Sequence, residues 1–268
     1  MGKAKLVGIV NVTPDSFSDG GTSFRPEDAI SAIIRLIDEG ASVIDIGAES
    51  TRPGATPLSP EEEWQRLEPV LELLPRTVGV EYSLDTRHIQ TAKKARNIQL
   101  AHGAFWLNDV SGFADPAMGQ LARDSGSKIV LMHSLSVPAD KNIVLPEGTD
   151  VVKELLAFAN QRIQTLEALG VKREQIIFDP GLGFGKSATQ SWEIIENIKK
   201  FQALGVPLFV GHSRKSFLSY PHRIMSEAGN PQTRDEQTLV VSGYLAKQGV
   251  EYLRVHDVAA HQRVLAYE

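Results

Sequence analysis

The sequence predicts a single (β/α)8 barrel, the TIM-barrel member of the α/β class, over residues 1–268. Three observations carry the prediction. Eight short β-rich runs recur along the chain, each followed by a helical pattern. Most of these runs are nearly continuous in apolar residues, as strands buried on both faces of a parallel sheet are. Eight such units in 268 residues is the unit count of that barrel. An open doubly wound sheet is the competing topology, but the first strand-to-helix loop, NVTPDSFSDGG, lacks the glycine fingerprint that a dinucleotide-binding sheet carries there.

The first strand is predicted at Leu6–Thr13, and Pro26 opens a helix that Gly40 closes. The second strand is Val43–Ser50. Ser59-Pro60-Glu61-Glu62 then reads as an N-cap, a proline at the first helical position and a capping-box glutamate. Val80–Thr86 and Phe105–Val110 are the third and fourth strands, and Asp115-Pro116 opens the next helix. After Lys128–His133, Asp150 starts a helix carrying Val152, Leu155, Leu156, Ile163 and Leu166 on one face, closed by Gly170. Gln175–Pro180, Pro207–Ser213 and Tyr252–Asp257 complete the eight. Helical periodicity after the sixth strand begins near Trp192, and Asp257 caps VAAHQRVL. With no Ser/Gly/Pro-rich linker, one domain is expected.

Composition narrows the partners. The net charge of −5 argues against a protein that coats nucleic acid or an anionic membrane. The absence of cysteine removes disulfides, thiolate metal sites and cysteine nucleophiles, and suits a reducing cytoplasm. The start, MGKAKLVGIV, turns polar too soon for a signal peptide, and no apolar run approaches the ~20 residues of a membrane helix.

The functional signal lies at the strand ends. Each apolar run finishes in polar residues: Asn11, Glu49, Asp85, Asn108-Asp109, His133, Asp179, Ser213-Arg214-Lys215, and Arg254 with His256. In a barrel all these ends meet at one mouth, where such enzymes place their sites. Individually each has a plainer reading. Asp85 could cap a helix, Glu49 could be a buried carboxylate bonded to backbone, and His133 is ambiguous. His88, His102, His222 and His261 read as surface residues. Two loops, Asp15–Arg25 and Ala48–Ser59, exceed ordinary strand-to-helix lengths and have the composition of segments that close over a ligand. DPGLGFGKS approaches a phosphate loop, but Pro180 stands where its first glycine belongs. Its glycines suit close backbone approach to a flat ligand, with Phe184 and Lys186 at the rim.

Taken together, NVTPDSFSDGG, ESTRPGA, SLDT, NDVSG, MH, DPGLGFGK, GHSRKSF and RVHD, in that order, resemble the dihydropteroate synthase family of the folate pathway over essentially the whole chain. The resemblance implies a cytoplasmic homodimeric barrel that joins 6-hydroxymethyl-7,8-dihydropterin diphosphate to 4-aminobenzoate, releasing diphosphate with the help of Mg2+. It implies pterin diphosphate binding by Thr51, Asp85, Asn108, Asp179, Lys215, Arg254 and His256, and magnesium binding by Asn11. It implies a 4-aminobenzoate slot from Phe17, Thr51, Arg52, Pro53, Phe184 and Ser213, with Asp19 placing negative charge near a pterin-methyl cation. The chemistry is apt. A carboxylate pairs with two donors on the guanidine-like edge of a pterin, and an arginine fork suits phosphate oxygens. A pterin-dependent methyl-transfer barrel would share Asp85 and Asp179 but needs no diphosphate site. The chain departs from the family pattern after MH, where it reads SLSVPADKN, and in NPQTRDEQTLVVSGYLAKQG. Rim shape, dimer surface and sulfonamide sensitivity are left open by those segments.

Overall fold

The computed structural model describes residues 4–13, 25–51, 54–102, 105–140 and 142–266, the side chains of 99–102 excepted. Its strands are β1 (Lys5–Asn11), β2 (Val43–Gly47), β3 (Glu81–Asp85), β4 (Trp106–Asp109), β5 (Ile129–Met132), β6 (Ile176–Asp179), β7 (Phe209–Val210) and β8 (Tyr252–Val255). They form one parallel sheet in the order β6-β5-β4-β3-β2-β1-β8-β7. A parallel bridge from Phe178 to Leu208, just ahead of β7, joins the two ends into a barrel. Around it run α1 (Pro26–Asp38), α2 (Pro60–Glu72), α3 (Ile89–His102), α4 (Pro116–Ser125), α5 (Val151–Ala168), α6 (Ala188–Glu196), α7 (Arg223–Glu227), α8 (Arg234–Lys247) and α9 (Val258–Leu265). Among the described residues no helix is long and apolar enough to cross a membrane.

The helix starts follow the sequence signals. Ser59 and Glu62 make the reciprocal bonds of a capping box, and Asp115, Asp150 and Asp257 each accept a backbone N–H in the first turn of the helix they precede. α6 differs from expectation. It begins at Ala188 rather than near Trp192, because Ser187 and Gln190 form a capping box that the apolar pattern does not reveal.

Alternation along the strands sorts the side chains into two cores. Outward residues such as Leu6, Ile44, Leu84, Leu107, Leu131, Phe178 and Leu253 belong to the large core shared with the helices. Val7, Val43, Trp106, Val130, Ile177, Phe209 and Tyr252 form a separate cluster inside the barrel. Trp106 and Tyr252 meet there edge to face, ring centroids 5.1 Å apart. Two residues further along the same strands, on the same inward face, stand Asp45, Asn108, Asp179, Gly211 and Arg254. On β2, β4, β6 and β8 the inward stripe therefore changes from apolar to polar as the strand climbs toward its C-terminal end.

Candidate active site

Register aligns the polar ends. Asn11 pairs with Gly47, Gly47 with Asp85, and Asp85 with Asn108, so four adjacent strands present one row at the mouth. Gly47 is the gap in that row. A Cβ there would lie 3.0 Å from the Asp85 Cβ, so close that the acid would have to shift to admit it, and the missing side chain leaves the acid its place.

Arg254 ties the row together. Its Nε donates to Asp45 Oδ2 at 2.6 Å and its Nη2 to Asp85 Oδ2 at 2.9 Å. Asn108 Nδ2 donates to Asp45 at 3.2 Å. Across the barrel, a Cβ built on Gly211 would lie 3.8 Å from Arg254 Cδ and 3.9 Å from Asp179 Oδ2, so Asp179 and Arg254 open onto the same space. Asp179 Oδ1 accepts the Gly181 N–H at 2.7 Å. Lys215 Nζ donates to the Leu182 carbonyl at 2.6 Å and stands 4.7 Å over the Phe184 ring. Ser213 Oγ and His256 Nδ1 are 2.8 Å apart at the ends of β7 and β8.

Ser213 and Lys215 flank Arg214, which is left-handed at φ 60°. That unusual backbone is anchored by the Arg214 N–H on Thr238 Oγ1 at 3.1 Å, while the Thr238 hydroxyl donates to the Arg234 carbonyl. α8 thereby sets the turn that delivers both residues to the mouth.

The electrostatics reflect crowding of charge in a dry site. Burial raises the Asp179 pKa, against the pull of the Lys215 ammonium and the Gly181 N–H. Burial and the neighbouring Asp45 raise Asp85, and Arg254 opposes them. Burial draws Lys215 down to about 8, with Asp179 opposing. Burial works against the Arg254 charge, yet Asp45 and Asp85 hold its pKa above the ordinary arginine value.

Behind the row, α2 supplies Glu63, which is fully buried. Its Oε2 accepts the Thr86 hydroxyl at 2.7 Å, and Thr86 Oγ1 accepts the His88 N–H. Burial pushes the Glu63 carboxyl up to about 7 from 4.5. Between those two values the folded state holds a proton that the unfolded chain has lost. Stability therefore falls as pH rises through that window and levels off above it. Glu63→Gln keeps an acceptor for Thr86 and carries no charge. Its unfolding free energy should lose most of that slope, a gain of about 3 kcal/mol over wild type at pH 8. Denaturant melts at pH 5 and pH 8 measure this, and identical slopes in the two proteins would contradict it.

The described acids and histidines offer one cluster with metal-ligand spacing, Glu49, Glu63 and His88, whose ligand atoms lie within 4.8 Å of one another. It does not suit magnesium. Arg87 already binds both oxygens of Glu49 at 2.8 Å, and a hard cation takes oxygen ligands rather than imidazole. Although burial opposes it, that arginine, with the Leu58 N–H, holds Glu49 below the usual carboxylate range. Asn11 does fit, because it brings a hard amide oxygen to the mouth beside Gly47.

The structure thus brings Asp85, Asn108, Asp179, Lys215, Arg254, Ser213, His256 and Phe184 to one end of the barrel, with Asn11 in the same row. Thr51 stands on the loop after β2, where its carbonyl accepts the Ala139 N–H. Phe17, Asp19, Arg52 and Pro53 lie outside the described residues. Three expectations are corrected. Lys186 is not at the rim: it is 5% exposed, because backbone carbonyls and His133 surround its Nζ. His261 is a buried residue, bonded to the Asp257 carbonyl, and His222 stacks on Trp192 at 4.1 Å, so neither is merely a surface histidine. His88 is half-buried over the loop after β3, while the His102 side chain lies outside the description. Asp45 was missed altogether. The available signal was a lone acid at an inward position of VIDIG, which a strand buried on both faces tolerates only if it is paired.

Residues 7–256 match the family described as pterin binding enzyme. The folate synthesis bifunctional protein of Chlamydia caviae is 40% identical over 267 residues, 97% of this chain; the chain spans only 58% of that relative's length. The dihydropteroate synthase of Anaplasma phagocytophilum, solved with 6-hydroxymethylpterin monophosphate, is 39% identical, with a TM-score of 0.85 over 99% of this chain and 98% of that one. That of Xanthomonas albilineans, solved with 4-aminobenzoic acid, is 36% identical, with a TM-score of 0.84 over 99% of this chain and 92% of that one.

Proposed function

Because the chain belongs to the pterin binding enzyme family, we propose that it condenses 6-hydroxymethyl-7,8-dihydropterin diphosphate with 4-aminobenzoate to give 7,8-dihydropteroate and diphosphate. The observation that carries the proposal is the bonded row of Asp45, Asp85, Asn108 and Arg254 facing Asp179 and Lys215 across one mouth.

In this reading Asp179 and Asp85 take the donor edge of the pterin, Asn108 supplies both a donor and an acceptor, and Lys215 donates to the ring carbonyl and nitrogen. Arg254 gives Nε and Nη2 to the acids, so the diphosphate meets its remaining edge together with His256 and Thr51. The carbon–oxygen bond of the pterin methylene breaks, and its electron pair leaves with the diphosphate. The aromatic amine then forms the new carbon–nitrogen bond and sheds a proton to water or phosphate. Asn11 would hold a magnesium ion, which supplies charge neutralisation for the departing diphosphate. Phe184, Ser213 and Thr51 line the aminobenzoate slot, with Phe17, Arg52 and Pro53 from the two loops. Asp19 stabilises the cation, and closure of the first loop excludes water. Residues 1–268 act as one barrel domain, homodimeric and cytoplasmic, as the resemblance implies.

The test is diphosphate release. Release that requires both substrates, increases with magnesium and is inhibited by a sulfonamide competing with 4-aminobenzoate supports the reading. Binding of both substrates without consumption of either overturns it.

A further inference from the structure

Lys186 is the one lysine whose side chain is buried among the described residues, at 5% exposure. Its Nζ lies 2.7 Å from His133 Nδ1 and 2.9 Å from each of three carbonyl oxygens, those of His133, Gly181 and Phe184. Burial and the Lys186 charge draw the His133 pKa down to about 3, so the imidazole beside the ammonium is neutral. Burial also draws the lysine itself well below its ordinary value, with Asp179 opposing.

The carbonyls converge because the loop after β6 is built on glycines. Gly181 and Gly185 have φ of 67° and 72°. A Cβ on Gly181 would sit 2.0 Å from the His133 oxygen, and one on Gly185 2.5 Å from Leu135, so neither position admits a side chain. A loop bent this way turns its carbonyls inward, where each needs a donor. From outside, the segment after β5 clasps the same loop: the Leu145 N–H donates to the Gly185 carbonyl at 3.0 Å. The loop carries Phe184, whose ring lies under Lys215, and the Leu182 carbonyl that receives Lys215 Nζ. None of the atoms bonded to Lys186 is assigned to a substrate.

We propose that Lys186 is a positioning residue for the second substrate: by gathering the His133, Gly181 and Phe184 carbonyls it fixes the loop that presents Phe184 to 4-aminobenzoate. The proposal rests on the synthase reading above. Removing the ammonium leaves inward carbonyls without a donor, and the loop re-forms around other partners. Phe184, bonded through its own carbonyl, moves first. Asp179 keeps its independent bond to the Gly181 N–H.

The test is Lys186→Met alone and combined with Phe184→Ala. Lys186→Met should raise the KM for 4-aminobenzoate about tenfold or more, and change pterin diphosphate affinity by less than about threefold. In the double variant the Lys186 change should add less than about twofold to the effect of Phe184→Ala, because its route is already cut. Equal weakening of both substrates, independent multiplication of the two effects, or an unchanged aminobenzoate KM overturns the positioning role while wild-type turnover leaves the synthase reading standing. Absence of wild-type turnover overturns both. Should Lys186→Met be insoluble, Lys186→Gln, whose two N–H donors on a shorter, uncharged side chain cannot serve all three carbonyls, carries the same cycle with the same criteria.

Discussion

Arg254→Met is expected to be the most damaging single change in the barrel, lowering stability by about 3–5 kcal/mol and abolishing turnover. The stability loss follows from what the guanidinium compensates. Asp45 has no solvent-accessible side-chain surface, and Asp85 is 16% exposed. Both depend on Arg254 for their strongest bonds, at 2.6 and 2.9 Å. Methionine fills the stem of the arginine but leaves two carboxylates facing each other in a dry interior. Adding Asp45→Asn to the same chain should recover part of the stability, since it removes one of the stranded charges and keeps a partner for Asn108. It should recover no activity, because the cation that steadies Asp85 and faces the diphosphate is still absent. Denaturant melts with parallel turnover assays measure both. Full stability in Arg254→Met would mean that the row is not held by this residue.

Asp179→Asn should behave in the opposite way, with the fold preserved and the ligand lost. The amide has nearly the same shape, and its oxygen can still accept the Gly181 N–H that Asp179 Oδ1 accepts at 2.7 Å. The change lies at the other oxygen. An NH2 group would turn a donor toward the donor edge of the pterin, leaving donors facing one another in a buried site. Affinity for the pterin diphosphate should fall by about a hundredfold or more. Stability should rise at neutral to alkaline pH. Burial raises the Asp179 pKa, so the folded wild type loses stability as pH climbs from the ordinary carboxylate value to the raised one and regains none above it, and the amide has no such loss. Calorimetric titration and melts at pH 8 check the two halves. Unchanged affinity would remove Asp179 from the pterin site.

How far the sequence already showed these features depends on where the physics is local. The eight strands were legible because burial on both faces makes each an apolar run, and the helix starts because serine, aspartate and proline act within one turn. The predicted strands overran at their C-terminal ends, as with Val43–Ser50 against Val43–Gly47 and Pro207–Ser213 against Phe209–Val210. The overrun covers the residues that leave the ladder to form the mouth, where side-chain bonds replace strand pairing. The converging ends Asp85, Asn108, Asp179 and Arg254 were legible as a set because barrel topology brings every strand end to one side. Asp45 was not, since the arginine that compensates it lies 209 residues later. Lys186 was placed at the rim because a lysine is ordinarily hydrated. The carbonyls that bury it exist only once Gly181 and Gly185 have bent the loop.

The most direct test of the shared mouth is a crystal structure of the protein with 6-hydroxymethyl-7,8-dihydropterin diphosphate bound. The ring edge is expected within hydrogen-bond distance of Asp179 and Asn108, Lys215 on the ring carbonyl, and the diphosphate beside Arg254 and His256. A ligand seated elsewhere on the molecule, or a ring in the mouth that touches neither Asp179 nor Asn108, would contradict it.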